Sequence, residues 1–251
     1  MKIVFLGVGE AFDENYPNTS ILVSTKGTNL LLDCGYSVPV QIWKYNPDPN
    51  FLDAIYISHC HADHYFGIPA ILVRMWEGKR EKPLKVFCQK GFQKTIDDII
   101  ELAYPQFRSR FNYPIEVTEV SPGDKVKLNE LNLEFAPIEH SLPGQAIKVS
   151  NGKRSVCYSG DGKFTPQAEM MYKQSDLVIQ ETYLLDESRV GHASIAQLIE
   201  MAKRIKLPLV AAIHLNRDFR RDNLDKIQRV ISETKGTKIL LPEPFDEYDF
   251  S

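Results

Sequence analysis

Three of the six histidines of this chain fall in one hexapeptide, His59-Cys60-His61-Ala62-Asp63-His64, directly after the apolar run Asp53-Ala54-Ile55-Tyr56-Ile57-Ser58. A strand leaving a sheet sends side chains i and i+2 to the same side. His59 and His61 can therefore share one ion while Asp63 and His64 turn toward a second. A solvated histidine-rich loop gives no reason for so many metal-ligand side chains in so short a stretch. Further candidates each lie just past an apolar run: His140 after 131–136, Asp161 after 156–160 and His214 after 210–213. Active sites in sheet proteins are commonly assembled at such strand ends. Together the candidates make five histidines and two aspartates, a donor set for two borderline-soft divalent ions with Asp161 as the bridging carboxylate.

Positioning these ligands takes a sheet framework, and the hydrophobic periodicity predicts one. Strand-like runs at 2–6, 20–24 and 29–33, with Lys26-Gly27 as a hairpin signal, make the first third read as largely antiparallel. Helical spacing follows at 37–46, 63–77, 91–103, 166–173, 194–205 and 223–234. Further strand candidates lie at 53–58, 84–88, 115–120, 131–137, 145–150, 154–159, 176–180 and 208–213, and Asn151-Gly152 marks a two-residue hairpin. The alternation suggests an α/β protein with two sheets packed face to face and helices outside, a four-layer α/β/β/α sandwich. No repeat, low-complexity tract or Pro/Gly-rich linker divides the chain, so residues 1–251 are expected to form one domain.

At 251 residues and 43% hydrophobic, the chain can bury a substantial core. A net charge of −3 argues against a broad basic face for nucleic acid, and no DNA partner is expected. Cys34, Cys60, Cys88 and Cys157 have neither zinc-knuckle spacing nor the density of a disulfide scaffold, and read as free thiols in a reducing compartment. The opening residues read as a short strand rather than a signal peptide, and no run reaches the roughly 20 apolar residues of a membrane span. The expectation is a soluble, cytoplasmic protein.

With these residues in place, the chain resembles the metallo-β-lactamase superfamily, whose HxHxDH signature stands here as His59-Cys60-His61-Ala62-Asp63-His64. The resemblance runs along nearly the whole chain. It includes the strand-end acid in Leu31-Leu32-Asp33-Cys34-Gly35, then His140, Asp161 and His214 in the same order. It implies the metallo-β-lactamase fold, with His59, His61 and His140 on one metal, Asp63, His64 and His214 on the other, and Asp161 bridging. Asp33 would orient a histidine ligand without touching metal, or simply form a turn. Zinc is the expected metal, with manganese or iron fitting nearly as well. Members of the superfamily are often dimers, so a homodimer is open.

Three segments are similar to the ribonuclease Z branch: His140-Ser141-Leu142-Pro143-Gly144, Tyr158-Ser159-Gly160-Asp161-Gly162, and 176–183 followed by Gly191-His192-Ala193-Ser194. The resemblance implies that Glu181 and His192 form a hydrogen-bonded pair whose imidazole protonates the leaving oxygen. The plainer alternative is that His192 only begins a helix capped near Ser194. Two departures stand out. Only 20 residues separate His140 from Asp161, which leaves no room for the long arm of tRNA-processing members. His214-Leu215-Asn216-Arg217-Asp218-Phe219 only approximates their His-x-Ser-x-Arg-Tyr, although Arg217, Arg220 and Arg221, with Ser141, could still grip a phosphate.

The expected activity is in-line hydrolysis of a phosphodiester by a hydroxide bridging the metals, with Asp63 able to accept a proton from the water. The substrate is expected to be a small or cyclic diester, or an RNA 3′ end, rather than a folded RNA. A carboxylic ester, lactone or thioester hydrolase would need neither His192 nor the arginines. A noncatalytic metal-binding module is the third reading. Elsewhere, Ile68, Leu72, Val73, Met75 and Trp76 recur at helical spacing and read as core. Residues 79–82 read as a solvated charged loop, and the aromatic stretch 104–113 as buried packing, a lid or a dimer contact.

Overall fold

The computed structural model describes residues 1–186 and 189–250. Its first half supplies β1 (Lys2–Gly7), β2 (Ser20–Ser24), β3 (Asn29–Leu32), α1 (Val38–Tyr45), β4 (Ala54–Tyr56), α2 (Ala62–Tyr65), α3 (Ile68–Glu77), β5 (Leu84–Gln89), α4 (Gln93–Ala103) and β6 (Ile115–Val120). The second half supplies β7 (Lys125–Leu128), β8 (Leu131–Glu139), β9 (Gly144–Ser150), β10 (Ser155–Tyr158), β11 (Lys163–Phe164), α5 (Pro166–Tyr172), β12 (Leu177–Glu181), α6 (Ile195–Arg204), β13 (Leu209–Ile213), α7 (Arg217–Glu233), β14 (Lys238–Leu240) and β15 (Glu247–Asp249). One sheet runs β15-β1-β2-β3-β4-β5-β6, the other β11-β8-β9-β10-β12-β13-β14 with β7 also paired to β8.

Strand alternation builds the layers. Ile3 and Phe5 of β1, Leu30 and Leu32 of β3, and Leu177 and Ile179 of β12 point into one core shared by both sheets. Their neighbours Val4, Leu6 and Leu31 instead meet Ile42, Ile68, Leu72 and Ile96 from α1, α3 and α4. On the outer face of the second sheet, Val178 and Val210 meet Tyr172, Leu198 and Ile227 from α5, α6 and α7. This is the expected four-layer α/β/β/α sandwich. The largely antiparallel reading of the first third is corrected beyond β3: β3–β4, β4–β5 and β5–β6 are parallel. Helices α1, α3 and α4 return the chain across the sheet between those strands, as parallel pairing requires.

Three local expectations need comment. Arg80 is not in a solvated loop but fully buried, donating to the carbonyls of Lys82, Pro49, Leu52 and Pro83 at 2.6–2.8 Å. The guanidinium fork satisfies backbone groups that the loops around α3 cannot pair among themselves. Arg80→Met, which keeps the bulk and removes the donors, is expected to cost roughly 3 kcal/mol or more, because several buried carbonyls lose their partners. An unchanged urea midpoint would contradict this. In the aromatic stretch, Tyr113 is buried and donates to the Leu72 carbonyl at 2.8 Å, and Phe107 packs edge-on against Trp76 at 4.8 Å. Helix α7 starts at Arg217, where Asn216 caps it by accepting from the Phe219 N–H at 2.9 Å, and kinks at Asn223 (φ −128°, ψ 16°), where the apolar spacing places the helix start. Among the described residues, no helix is long and apolar enough to cross a membrane.

Candidate active site

Four of the candidate ligands sit where a strand ends. His59 follows β4, His140 follows β8, Asp161 follows β10 and His214 follows β13, while Asp63 and His64 lie on α2. The turn after β3 passes so close to α2 that a Cβ on Gly35 would lie 1.8 Å from the Asp63 carbonyl oxygen, so only glycine fits there. Asp33 and His214 hold left-handed backbone, with φ of 62° and 60°. Such conformations cost energy in a non-glycine residue and cluster at functional sites.

Hydrogen bonds fix which ring nitrogens are bare. Ser58 Oγ gives its single proton to Asp33 Oδ2 at 2.7 Å, so it can only accept from His59 Nδ1, 3.1 Å away. His140 Nδ1 donates to the Gly191 carbonyl at 2.7 Å. Both residues therefore turn unprotonated Nε2 atoms inward, to within 3.0 and 3.1 Å of His61 Nδ1. One proton on His61 can satisfy only one of them, whereas a cation satisfies all three.

The second cluster is Asp63, His64, Asp161 and His214, all buried. Fully buried Asp33 accepts from the Ser58 N–H, Ser58 Oγ, His64 Nδ1 and Tyr158 hydroxyl at 2.6–2.7 Å. His64 Nε2 consequently faces inward, 3.1 Å from Asp63 Oδ2 and 3.3 Å from Asp161 Oδ1. His214 Nε2 lies 3.1 Å from Asp161 Oδ2. Despite these distances, neither inward nitrogen nor Asp161 Oδ1 makes an aligned hydrogen bond, as expected of donors arranged around a cation. The fold and these His/Asp clusters suggest divalent metal binding.

Electrostatics follow the same geometry. Burial, and then the charge of His64, hold His59 well below the ordinary histidine value. Burial also opposes charging of His64 and His214, but the surrounding carboxylates outweigh it. They raise His64 well above its ordinary value and His214 to about 9. Asp63 and Asp161 are held low by those histidines despite burial. Without metal, His64 and His214 are therefore protonated at neutral pH, and coordination must displace those protons. Zinc titration of the stripped protein at pH 7 is expected to release protons, with apparent affinity rising toward pH 9. Calorimetry in buffers of different ionisation enthalpy reads this directly, and equal heats in all buffers would contradict it.

Glu181, at the end of β12, is fully buried and takes the His192 Nδ1–H on Oε1 at 2.9 Å. Its Oε2 accepts from the Ala193 N–H at 3.0 Å. Burial raises the Glu181 carboxyl, and the His192 bond works against that rise. Ser194 does cap α6 in a capping box with Gln197, so the helix-start and Glu181 contacts coexist. His192, Ser141, Asp63, Asp161 and three further candidate histidines, His61, His140 and His214, line a cavity of about 410 Å³. A larger open groove of about 1000 Å³ between β8 and α5 contains none of the candidate residues.

The arginine grip is corrected. Arg217 is paired with Glu10 and lies 3.8 Å from Glu14. Arg220 is buried 3.8 Å above the Tyr16 ring and 2.7 Å from Glu243, and Arg221 pairs with Asp218 and Asp222. The contacts with Glu10, Glu14 and Tyr16 tie the loop after β1 to α7, and none of the three arginines lines the cavity. Sequence reasoning missed Glu10, Phe12, Tyr36 and Tyr183, which do line it. Tyr183 was findable, since it stands two residues beyond Glu181 and so shares its side of the departing strand.

The sandwich, with its His/Asp clusters at strand ends, is the metallo-β-lactamase fold. More narrowly, the chain belongs to the family described as Anti-Pycsar protein Apyc1, whose model matches residues 1–234. It is similar to a ribonuclease Z from Natronomonas pharaonis, 24% identical with 99% of this chain and 97% of the relative covered. That alignment spans 306 positions against the 251 residues here, so the relative carries segments this chain lacks. The fold is shared with human tRNase Z, short form (ELAC1), at a TM-score of 0.82, 19% identity and full coverage of both chains. It is also shared with YhfI from Bacillus subtilis, at 0.80, 19% identity and 98% coverage of both.

Proposed function

We propose that the chain is a metal-dependent phosphodiesterase acting on a small phosphodiester, cyclic or at a short RNA 3′ end. The observation that carries this reading is His192, bonded to the enclosed Glu181, on the wall of the cavity that His61, Asp63, His140, Asp161 and His214 also line. Cleaving an alkyl phosphodiester expels an alkoxide that needs a proton, and His192 is a held donor beside the site. A carboxylic ester, lactone or thioester hydrolase leaves that pair without a task, as does a noncatalytic module. The names of the ribonuclease Z relatives support a phosphodiester rather than a carbonyl substrate.

His59, His61 and His140 would hold one ion, and Asp63, His64 and His214 the other, with Asp161 between them. Zinc is the proposed metal, and manganese or iron suits the same donors. Bound divalent metal supplies an activated water and stabilises charge on the phosphoryl oxygens. Asp63 stays ionised because His64 and His214 hold its pKa down, and its Oδ2 can accept the proton of the attacking water. Glu181 fixes His192 through Nδ1, leaving Nε2 to carry the proton given to the leaving oxygen.

Size and charge support a small substrate. The residues between His140 and Asp161 are taken up by the β9–β10 hairpin, and among the described residues neither Lys nor Arg lines the cavity. A polyanion needs clustered cations that this cavity does not offer. With metal-loaded protein, a dinucleotide or cyclic diester is expected to be hydrolysed faster than a 3′-extended RNA hairpin. Faster cleavage of the hairpin would reassign the substrate.

A further inference from the structure

The imidazole of His192 is held at its edge by a single bond, Nδ1–H to Glu181 at 2.9 Å. One such bond sets a direction and leaves the ring free to rotate about it. One ring face meets Tyr183, with centroids 4.7 Å apart and planes at 31°, while His140 lies edge-on at 5.1 Å and His214 nearly parallel at 6.3 Å. Tyr183 is pinned on three sides. Its N–H donates to the Ala193 carbonyl at 2.9 Å, its carbonyl accepts from the Asn216 N–H at 3.0 Å, and its phenol oxygen accepts from Asn216 Nδ2 at 2.9 Å. The other end of the same amide, Asn216 Oδ1, caps α7 by accepting from the Phe219 N–H at 2.9 Å.

Asn216 stands where the ribonuclease Z pattern His-x-Ser-x-Arg-Tyr has serine. A serine offers a single Oγ close to the backbone, which can cap the helix but is too short to reach the phenol as well. The amide spans both. We infer that Tyr183 and Asn216 are positioning residues for proton transfer: Asn216 fixes Tyr183, and the Tyr183 ring keeps His192 on the cavity wall. The contact also joins the proton-donor loop to the segment two residues past His214. This inference rests on the proposed role of His192.

The test compares two diesters in zinc-loaded protein, one expelling a nucleoside alkoxide (a dinucleotide) and one expelling nitrophenolate, which leaves without being protonated. Tyr183→Leu is expected to lower kcat on the dinucleotide up to about 10²-fold more than on the nitrophenyl diester, the scale of a misplaced catalytic group. Tyr183→Phe and Asn216→Ser keep the ring and remove the bond, and should shift the ratio in the same direction by less. The double variant should be no worse than either single one, because both break the same contact. Metal content, measured in every variant, should match wild type. Equal losses on both substrates, additive single effects or lost metal would overturn the inference if His192→Ala itself shows the selective loss. If His192→Ala shows none, the proton-donor reading falls and takes the inference with it.

Discussion

Replacing His192 with alanine is expected to slow hydrolysis of a dinucleotide by roughly 10²–10⁴-fold, the usual scale of a lost general acid, while metal content stays at the wild-type level. The residue stands apart from the donor sets around His61 and His64 but shares a third group with Glu181 and His214; its Nδ1 is taken by Glu181, and its ring meets Tyr183, His140 and His214. Its side chain is 22% exposed, so the ring reaches the cavity, whereas Glu181 is wholly enclosed. That contrast assigns the roles: the enclosed carboxylate orients, and the accessible imidazole meets the leaving oxygen. A nitrophenyl diester should be slowed much less, since nitrophenolate needs no proton. Equal slowing of both substrates would mean that His192 serves binding or folding instead.

The second large effect is expected at Asp33. Asp33→Ala removes the acceptor of four hydrogen bonds in the interior. Two of them set ligand tautomers, directly for His64 and through Ser58 for His59. Without Asp33, the proton on His64 can move to Nε2, and Ser58 Oγ is free to donate to His59 instead of accepting from it. Metal affinity should then fall by about 10–100-fold, the range seen when outer partners of metal ligands are lost. The buried Tyr158 hydroxyl and Ser58 groups also lose their acceptor, at about 1–3 kcal/mol for each unsatisfied group. Competition against a chromophoric chelator and urea unfolding read the two effects separately. Wild-type affinity in a folded Asp33→Ala protein would show that Asp33 is only a turn former.

The candidate clusters were legible in the sequence because their chemistry is local: a strand end, a fixed spacing and residue types that hold metal. The sandwich was legible for a related reason, since strands such as β1, β12 and β13 are continuous apolar runs, buried on both faces, that alternate with helical spacing. What failed was anything decided by a distant partner. Arg80, in a run of charged residues, looks solvated until the carbonyls of Pro49 and Leu52 close around it. Arg217 and Arg220 look free to grip phosphate until Glu10, Tyr16 and Glu243 meet them from remote segments. Strands β7 and β11 are short and pair only through β8, so their own residues carry little periodic signal. The start of α7 rests on one capping contact of Asn216 within a charged stretch where apolar spacing is weak.

The most direct test is hydrolysis of a chromogenic phosphodiester by protein stripped of metal and reloaded with zinc or manganese, run beside Asp161→Ala prepared in the same way. Asp161 faces both His64 and His214, so a metal-dependent phosphodiesterase must turn over when loaded, stop when stripped and fail in the variant. Turnover surviving in Asp161→Ala, or a fully metallated wild-type protein that leaves the diester intact, would contradict that function.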